Sequence, residues 1–466
     1  MSKIKFGTDG WRAIIAEDYT VENVRRVATA TALWVKQNGG TAVVVGHDCR
    51  FAGELFAKNT AQVLAAHRLK VYLAKDFVST PMVSLGVVKT QSYVGVVITA
   101  SHNPPDYNGF KLKSRFGSPA IQADIDAVEH LIPDVAPDLQ LQSLEVLLAH
   151  NLLEYIDLEE IYLQEVRQKF DLAAIQNADI CHAYDAMYGA GQRVMQRILP
   201  NILPLHCEHN PHFYGQAPEP IHRNLLELSN LIKNNDKINC GLANDGDADR
   251  IGMYDENGNF VDSHQILLLL IHYLYQYKQL RGKVAVTFSV TDKVKKLCQL
   301  YQLPYQVLPI GFKYIAEIML QETVLVGGEE SGGICAAGHI PERDGIWMGL
   351  LLLELMAKTG KKLSELMREI YDLVGTFAFD RYDLHLDNSL KNQIINNCKS
   401  GFYTQLAGLP VLRTETIDGY KFYLSEDTWL MIRPSGTEPL LRVYCEAPTL
   451  PAVHQILDKV KSFLLN

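Results

Sequence analysis

Several features that mark other protein classes are scarce in this chain of 466 residues. The longest apolar run, residues 266–275, contains His272 and is too short to span a bilayer, which needs about 20 residues. The eight cysteines are scattered and form no C-x-x-C pair, which disfavours a zinc site and a disulfide framework. A net charge of −9 argues against nucleic acid or an anionic membrane as a partner of the whole chain.

These absences are consistent with an ordinary soluble protein, 47% hydrophobic and 21% charged. The first residues, MSKIK, lack the apolar segment of a signal peptide, so we expect a cytoplasmic protein with reduced thiols and no membrane partner. The run 266–275 is then predicted to be a core helix. The chain exceeds the length of one typical core, so three or four domains are expected.

Strand-like and helix-like segments alternate over most of the chain, which favours mainly parallel sheets with crossover helices. A long charged helix is predicted over residues 153–170, as a connection into a second unit. After residue 362 the pattern changes to short strands and a closing helix at 451–465, which predicts a smaller α+β domain with an antiparallel sheet. We therefore divide the chain into the ranges 1–152, 153–256, 257–370 and 371–466.

The segment 96–104, VVITASHNP, combines an apolar β-branched run with a polar turn. The run predicts a buried strand, and the turn that follows it presents the hydroxyl of Ser101 and the imidazole of His102. A serine in such a place is a candidate nucleophile or phosphate carrier. Taken alone, the pair is better explained by a strand end whose serine satisfies backbone groups.

The segment 244–250, NDGDADR, concentrates the carboxylates of Asp245, Asp247 and Asp249. In an extended segment alternate residues point to one side, so the three carboxylates are predicted to converge. Their mutual repulsion calls for a cation, and oxygen-only ligands favour Mg²⁺, Mn²⁺ or Ca²⁺. Two alternatives remain, a solvated acidic turn and a calcium EF-hand; the latter is disfavoured because Arg250 stands where that loop needs glycine.

Two further loops contain residue types that bind sugars and phosphates. The segment 327–333, GGEESGG, places a carboxylate and a hydroxyl among four glycines and could hold neighbouring sugar hydroxyls. The segment 433–439, RPSGTEP, combines arginine, hydroxyls and free backbone N–H groups, which suit a phosphate dianion. Each segment alone is equally well explained as a plain polar turn.

The combination of the four motifs is more informative than any one of them. A simple phosphatase needs no second site for a phosphate that does not react. A kinase needs a nucleotide site, and no Walker A motif occurs in the chain. A phosphosugar mutase needs a phosphate carrier, a divalent metal, a hydroxyl-binding loop and a separate phosphate loop.

These motifs, in this order, resemble those of the α-D-phosphohexomutase superfamily, the phosphoglucomutase and phosphomannomutase enzymes. The likeness extends from the segment 6–12, FGTDGWR, to 433–439 and so covers essentially the whole chain. It implies three related mixed α/β domains and a smaller C-terminal α+β domain, similar to the TATA-binding-protein fold, around a central cleft. Each domain of that fold contributes one loop to the cleft.

The resemblance also implies roles for individual residues. Ser101 matches the serine that carries the phosphoryl group, and its phosphate completes the Mg²⁺ site of Asp245, Asp247 and Asp249. The groups expected near the transferring phosphoryl or in catalysis are His102, Arg12, Lys111, Arg250 and Lys313. The residues expected to bind the sugar hydroxyls are Glu329 and Ser331, and those expected at the distal phosphate are Arg433, Ser435, Gly436 and Thr437. His339 and Arg343 are similar to another phosphoglucomutase segment.

The resemblance implies an isomerase, a phosphoprotein that converts hexose 1-phosphate to hexose 6-phosphate through a hexose 1,6-bisphosphate, which is also its activator. Glucose phosphates are expected, with mannose phosphates possible because the two sugars differ at C2, outside the assigned hydroxyl contacts. The base that accepts the sugar proton is open among Lys313, His102 and Glu329. Alternatives are a phosphoglucosamine mutase, a metal-dependent sugar phosphatase and a non-catalytic sugar-phosphate-binding protein. A monomer or homodimer is expected.

Overall fold

The structure, a computed structural model, describes residues 4–7, 9–178, 180–434 and 440–465. The chain divides into two compact units. The first contains Met1–Val284 and Gly311–Met367, and the second contains Ala285–Ile310 and Arg368–Asn466. Within the described residues, no helix combines the length and apolar character needed to cross a membrane.

The first unit begins with a mixed six-stranded sheet of order β1-β5-β4-β2-β3-β6. Strands β2, β3, β4 and β6 are parallel, and β5 pairs antiparallel with β4 and β1. Strand β4 is buried along its whole length, as its apolar sequence predicts. The elements are β1 (Trp11–Ile14), α1 (Val21–Gln37), β2 (Ala42–His47), α2 (Gly53–Ala66), β3 (Lys70–Ala74), α3 (Thr80–Thr90), β4 (Val94–Ile98), β5 (Tyr107–Ser114), α4 (Gln122–His130), α5 (Leu144–Ala149) and β6 (Leu153–Ile156).

The prediction of a long helix over residues 153–170 is wrong for its first turn. Residues Leu153–Ile156 form strand β6, which pairs with β3, and the helix α6 covers Leu158–Lys169. The side chain of Asp157 separates the two elements because it accepts a hydrogen bond from the N–H of Glu160 at 2.9 Å and so caps the helix. Pairing with a neighbouring strand and this cap outweigh the helical pattern.

A second mixed sheet, of order β11-β10-β9-β7-β8, follows in the same unit. Strand β7 is parallel to β8 and β9, whereas β10 is antiparallel to β9 and β11. The elements are α7 (Leu172–Asn177), β7 (Cys181–Asp185), α8 (Gln192–Ile198), β8 (Leu203–Leu205), short 3₁₀ turns at Phe213–Gly215 and His222–Asn224, α9 (Leu226–Lys233), β9 (Ile238–Asn244), β10 (Ile251–Tyr254) and β11 (Phe260–Val261).

The chain then forms α10 (Ser263–His272), whose leucines are fully buried, so the core helix predicted for this run is confirmed. A π-helical segment continues it over Tyr273–Tyr277. Strand β12 (Lys283–Thr287) runs across the boundary between the units, and the antiparallel pair β14–β15 belongs to the first unit. The remaining elements are α11 (Lys293–Tyr301), β13 (Tyr305–Leu308), α12 (Phe312–Met319), β14 (Val324–Gly328), β15 (Ile334–Ala336), α13 (Gly345–Thr359) and α14 (Leu363–Val374).

The second unit contains the predicted antiparallel sheet, of order β16-β22-β21-β20-β19. Its core includes Leu430, Ile432, Leu441 and Val443 from the central strands, packed against the helices Asn388–Ser400 and Leu450–Leu465. The elements are β16 (Ala378–His385), α15 (Asn388–Ser400), a two-stranded pair β17 (Gln405–Leu406) and β18 (Leu409–Pro410), β19 (Arg413–Glu415), β20 (Tyr420–Ser425), β21 (Thr428–Pro434), β22 (Leu440–Ala447) and α16 (Leu450–Leu465).

Candidate active site

Ser101 lies just beyond the end of β4, in the turn that the sequence predicts. Its side chain is buried, and its φ of 53° places it in the left-handed region, which non-glycine residues seldom adopt. The Oγ atom donates a hydrogen bond to Oδ2 of Asp245 at 2.7 Å, and the Ser101 N–H donates to Oγ1 of Thr99 at 2.9 Å. The strained turn therefore directs the serine hydroxyl at the first aspartate of the acidic loop.

The three aspartates of the acidic loop converge, but not by the extended alternation that the sequence suggested. Strand β9 ends at Asn244, and the aspartates lie in the turn that follows, where Ala248 has a φ of 57°. Oxygens of Asp245, Asp247 and Asp249 lie within 4.8 Å of one another, and all three residues are buried. The tight turn, rather than a strand, gathers the carboxylates.

The charges and unpaired oxygens of this loop fit a divalent cation. Burial, with the neighbouring charges of Asp247 and Asp249, raises the pKa of Asp245 well above its usual range. The Oδ1 atoms of Asp247 and Asp249 are buried and accept no hydrogen bond from the described residues. Buried carboxylate oxygens without a donor are costly, and hard oxygen ligands of this kind suit Mg²⁺.

Charged side chains from other parts of the unit surround the same loop. The Nζ of Lys111 lies 2.8 Å from Oδ2 of Asp247, 3.4 Å from Oδ2 of Asp249 and 2.9 Å from Oδ2 of Asp9. Nη2 of Arg343 lies 2.7 Å from Oδ2 of Asp249 and 2.6 Å from Oδ2 of Asp9. Burial alone would lower the pKa of Lys111, but the carboxylates outweigh it and raise that pKa. Lys111 therefore stays protonated beside the aspartates.

Arg12, His102 and Arg250 border the serine and the aspartates. Nη1 of Arg12 donates to Oδ1 of Asn103, the residue after His102, at 2.6 Å. The backbone N–H of Arg250 donates to Oδ1 of Asp245 at 3.1 Å. Burial, with the nearby positive charges of Arg250 and Arg12, lowers the pKa of His102 well below its usual range, so its imidazole is neutral.

The glycine-rich loop joins strands β14 and β15 and lies against the acidic loop. A β-bridge links Gly333 to Arg250, and the N–H of Ile251 donates to the carbonyl of Gly332 at 3.1 Å. Burial raises the pKa of Glu329 to about 7, although Nη1 of Arg343 lies 3.6 Å from its Oε2. Ser331 is partly buried in the same turn.

The remaining predicted site residues have other described partners or lie outside the described residues. Lys313 lies near the surface, where its Nζ donates to Oε1 of Gln122 at 2.7 Å. Arg433 belongs to the second unit, where its Nε donates to Oδ1 of Asp418 at 3.0 Å. The other predicted distal-phosphate residues, Ser435, Gly436 and Thr437, lie outside the described residues.

His339 is a structural residue in this geometry. Its ring stacks on Trp347 with the centroids 3.7 Å apart, and its Nε2 lies 2.9 Å from Oδ2 of Asp344. Asp344 also accepts the N–H of Trp347 at 3.0 Å and thereby caps helix α13. The imidazole is therefore engaged in holding the start of that helix.

Sequence reasoning missed several residues that hold the site together. Asp9 binds both Lys111 and Arg343, and the Oγ1 of Thr80 donates to Oδ2 of Asp247 at 2.6 Å. Arg50 donates to the carbonyl of Ser101 at 2.6 Å. Asp9 lies in the segment 6–12, which carries part of the family resemblance, so the sequence offered a signal for it. Nothing in the local sequence marks Thr80 or Arg50 as a site residue.

The chain was compared with known protein families. Four domain models of the phosphoglucomutase/phosphomannomutase family match successive segments of the chain. Alpha/beta/alpha domain I matches residues 3–137, domain II matches 160–258, domain III matches 262–374, and the C-terminal domain matches 392–462.

Individual relatives are similar over almost their full length. A probable phosphoglucosamine mutase from Pyrococcus abyssi is 30% identical over 98% of this chain and 97% of its own length. A phosphoglucomutase/phosphomannomutase from Thermococcus kodakarensis is 27% identical over 97% of this chain and 96% of its own length. A crystal structure from Thermus thermophilus, named provisionally as a phosphomannomutase, is 35% identical with a TM-score of 0.89 and full coverage of both chains.

The expected α/β architecture with a smaller C-terminal domain is confirmed by these matches together with the sheets described above. The domain limits drawn from the sequence stay a prediction. With the matched domains in the same order as the four motifs, the chain belongs to the phosphoglucomutase/phosphomannomutase family of the α-D-phosphohexomutase superfamily.

Proposed function

We propose that this phosphohexomutase interconverts hexose 1-phosphate and hexose 6-phosphate through a phosphorylated Ser101, with glucose phosphates as the main substrates and mannose phosphates also accepted. One observation carries the proposal: the Ser101 hydroxyl lies 2.7 Å from Asp245, inside a buried ring of carboxylates and cations. A serine placed there can carry a phosphoryl group whose charge is balanced on several sides.

Asp245, Asp247 and Asp249 would hold Mg²⁺, which supplies a positive charge that stabilises the phosphoryl group during transfer. Lys111 is fixed by three carboxylates and stays positive at the edge of the site. Arg250, which is part of the acidic loop, can contact phosphoryl oxygens with its guanidinium group. These fixed charges orient the phosphoryl group without rearranging during the reaction.

The attacking sugar hydroxyl must lose a proton, and we propose two groups of the site that can accept it. His102 follows the serine and is neutral, and the Nδ1 atom of its imidazole has no partner among the described residues. Glu329 is buried with a pKa of about 7, which suits proton exchange at neutral pH. Lys313 is the weakest of the three predicted candidates because it is engaged with Gln122 at the surface.

The proposed reaction passes through a hexose 1,6-bisphosphate, which must turn so that its other phosphate faces Ser101. Glu329 and Ser331 would hold sugar hydroxyls in either orientation. Arg433 and the loop after it would bind the phosphate that is not reacting, a role that stays a prediction. Activation by the bisphosphate, a cytoplasmic location and a monomeric or dimeric state are likewise predictions.

A phosphoglucosamine mutase is the second candidate, and the similarity to the Pyrococcus abyssi protein of that name favours it. The deciding experiment is a coupled assay of glucose 1-phosphate, mannose 1-phosphate and glucosamine 1-phosphate under identical conditions, with Mg²⁺ and the matching bisphosphate. We expect the highest kcat/KM for glucose 1-phosphate. A higher value for glucosamine 1-phosphate would establish the second candidate, and phosphate release as fast as isomerisation would instead establish a phosphatase.

Ser101→Ala is expected to lower mutase kcat by at least about 10³-fold, because the carrier hydroxyl is lost. Intact-mass spectrometry should find one phosphate on the wild type after incubation with bisphosphate and none on the variant. Ser92→Ala is the matched control, since Ser92 is also buried in the same domain but bonds to Thr90. Normal isomerisation by Ser101→Ala, with phosphate on another residue, would refute the assignment.

Asp247→Asn is expected to weaken binding of Mg²⁺, or of Mn²⁺ as a probe, on the order of 10- to 100-fold, because a charged oxygen ligand is replaced by a neutral one. Titration calorimetry measures the affinity directly. Asp134→Asn, at an exposed position, is the control and should bind as the wild type does. Complete removal of metal by a chelator should abolish turnover, and full activity in the verified metal-free protein would contradict the proposed metal site.

Glu329→Gln tests the proton acceptor through pH. The pKa of Glu329 is raised to about 7, so its carboxylate gains a proton as the pH falls through 7. We expect wild-type kcat/KM to fall below that pH, and we expect Glu329→Gln to lower kcat/KM by about 10²-fold at pH 8 and to flatten the acidic limb. Glu330→Gln is the control, because the substrate phosphate titrates in the same way with both variants. An acidic limb that is unchanged in Glu329→Gln as well as in the control would exclude Glu329 as the proton acceptor.

A further inference from the structure

The side chain of Arg50 is completely buried and lies inside a ring of backbone carbonyls. All four carbonyls lie between the end of β4 and the first residue of β5, in the segment that also carries Ser101. The guanidinium group donates from Nη2 to Ser101 and Asn103, at 2.6 Å each, and from Nη1 to Pro104 and Tyr107, at 2.8 and 3.1 Å. One side chain thus fixes the direction of four peptide groups.

Arg50 is itself fixed by its own neighbours. Its Nε lies 3.4 Å from Oδ2 of Asp48, and its backbone N–H donates to Oδ1 of the same residue at 2.9 Å. The ring of Phe213 lies below the guanidinium carbon, 5.0 Å from it to the ring centroid. The carboxylate, the backbone and the aromatic ring leave the guanidinium group a single orientation.

Four of the five N–H donors of the Arg50 guanidinium group are engaged with carbonyls. The fifth, on Nε, is buried 3.4 Å from Oδ2 of Asp48 and makes no hydrogen bond within the described residues. Because the whole side chain is buried, this last donor is not open to a phosphoryl group or a sugar. Arg50 therefore acts on the reaction only through the backbone that it holds.

The backbone held by Arg50 determines where the Ser101 hydroxyl points. The carbonyl oxygen of Ser101 lies between Arg50 and Gly246 of the acidic loop, where a Cβ on Gly246 would come within 2.5 Å of it. The N–H of Ser101 is held by Oγ1 of Thr99, which donates in turn to Oδ2 of Asp48 at 2.5 Å. Both peptide groups of the serine are therefore tied to the Asp48–Arg50 pair.

We propose that Arg50 is a positioning residue for phosphoryl transfer: it holds Ser101 in its left-handed conformation so that the hydroxyl, or its phosphate, keeps facing the acidic loop. The inference rests on the proposed role of Ser101 as phosphate carrier. Such conformations persist only where the surroundings over-determine them, and the Arg50 contacts supply that constraint. A small displacement of a reacting group can cost on the order of 10²-fold in rate.

The test compares Arg50→Lys with Arg26→Lys. Lysine keeps the charge beside Asp48 but has a single nitrogen, which cannot reach four carbonyls. Arg26 is the matched control because it is also buried in this domain and donates to one carbonyl, of Pro133 at 2.7 Å, which is not part of the serine turn. Four quantities are measured: kcat, KM, the rate of Ser101 phosphorylation by bisphosphate, and Mn²⁺ affinity.

For Arg50→Lys we expect kcat and the phosphorylation rate to fall together by about 10²-fold, with KM and Mn²⁺ affinity within about three-fold of the wild type. Arg26→Lys should leave all four quantities nearly unchanged. Equal effects of the two variants, or a raised KM at unchanged kcat, would overturn the inference. Absence of phosphoryl transfer in the wild type would instead refute the proposed function.

A second pair of variants decides the matter if Arg50→Lys does not fold. Thr99→Val removes the hydroxyl that links Ser101 to Asp48 with little change of shape, and Thr99→Ser keeps that hydroxyl. We expect Thr99→Val to lower kcat by at least about tenfold with KM nearly unchanged, and Thr99→Ser to retain most of the wild-type rate. Equal rates for valine and serine would overturn the inference.

Discussion

Burial of three like charges in one turn is the constraint on which the rest of the site depends. Asp245, Asp247 and Asp249 are fully buried, and their repulsion must be offset by positive charge from elsewhere. Lys111 comes from β5 of the first sheet, and Arg343 comes from the segment just before α13. Charge compensation therefore requires distant segments to meet, since Lys111 and Asp247 are 136 residues apart in sequence.

The same constraint explains the close backbone contacts around the acidic loop. Gly345 lies so near Arg250 that a Cβ there would come within 2.1 Å of its carbonyl oxygen, and Gly246 lies similarly tight against Ser101. Side chains at either position would push the serine turn, or the start of α13, away from the aspartates. Close approach thus brings the serine, the aspartates and their balancing cations within reach of one another.

The sequence predicted the chemistry of this site better than its geometry. Ser101 and the three aspartates could be found because nucleophile and metal-ligand types stand next to strands with clear apolar patterns. The alternation argument for the aspartates was wrong, because a turn after β9 gathers them. Arg50 could not be found at all, since its partners are backbone carbonyls, which leave no trace in the choice of side chains.

Charge balance also bears on the fate of the proposed bisphosphate intermediate. The aspartates of the acidic loop and Asp9 face the cations Lys111, Arg343, Arg12 and Arg250. Arg343 and Arg250 also lie near the carboxylates of Glu329 and Glu219. In the proposed mechanism, a divalent cation and a phosphoserine dianion would together add no net charge to this set. Transfer of the phosphoryl group to the sugar would then leave the site more positive by two charges, beside a hexose bisphosphate. This added positive charge would oppose escape of the bisphosphate and favour its turning within the site, so the electrostatics proposed to stabilise the phosphoryl group would also retain the intermediate.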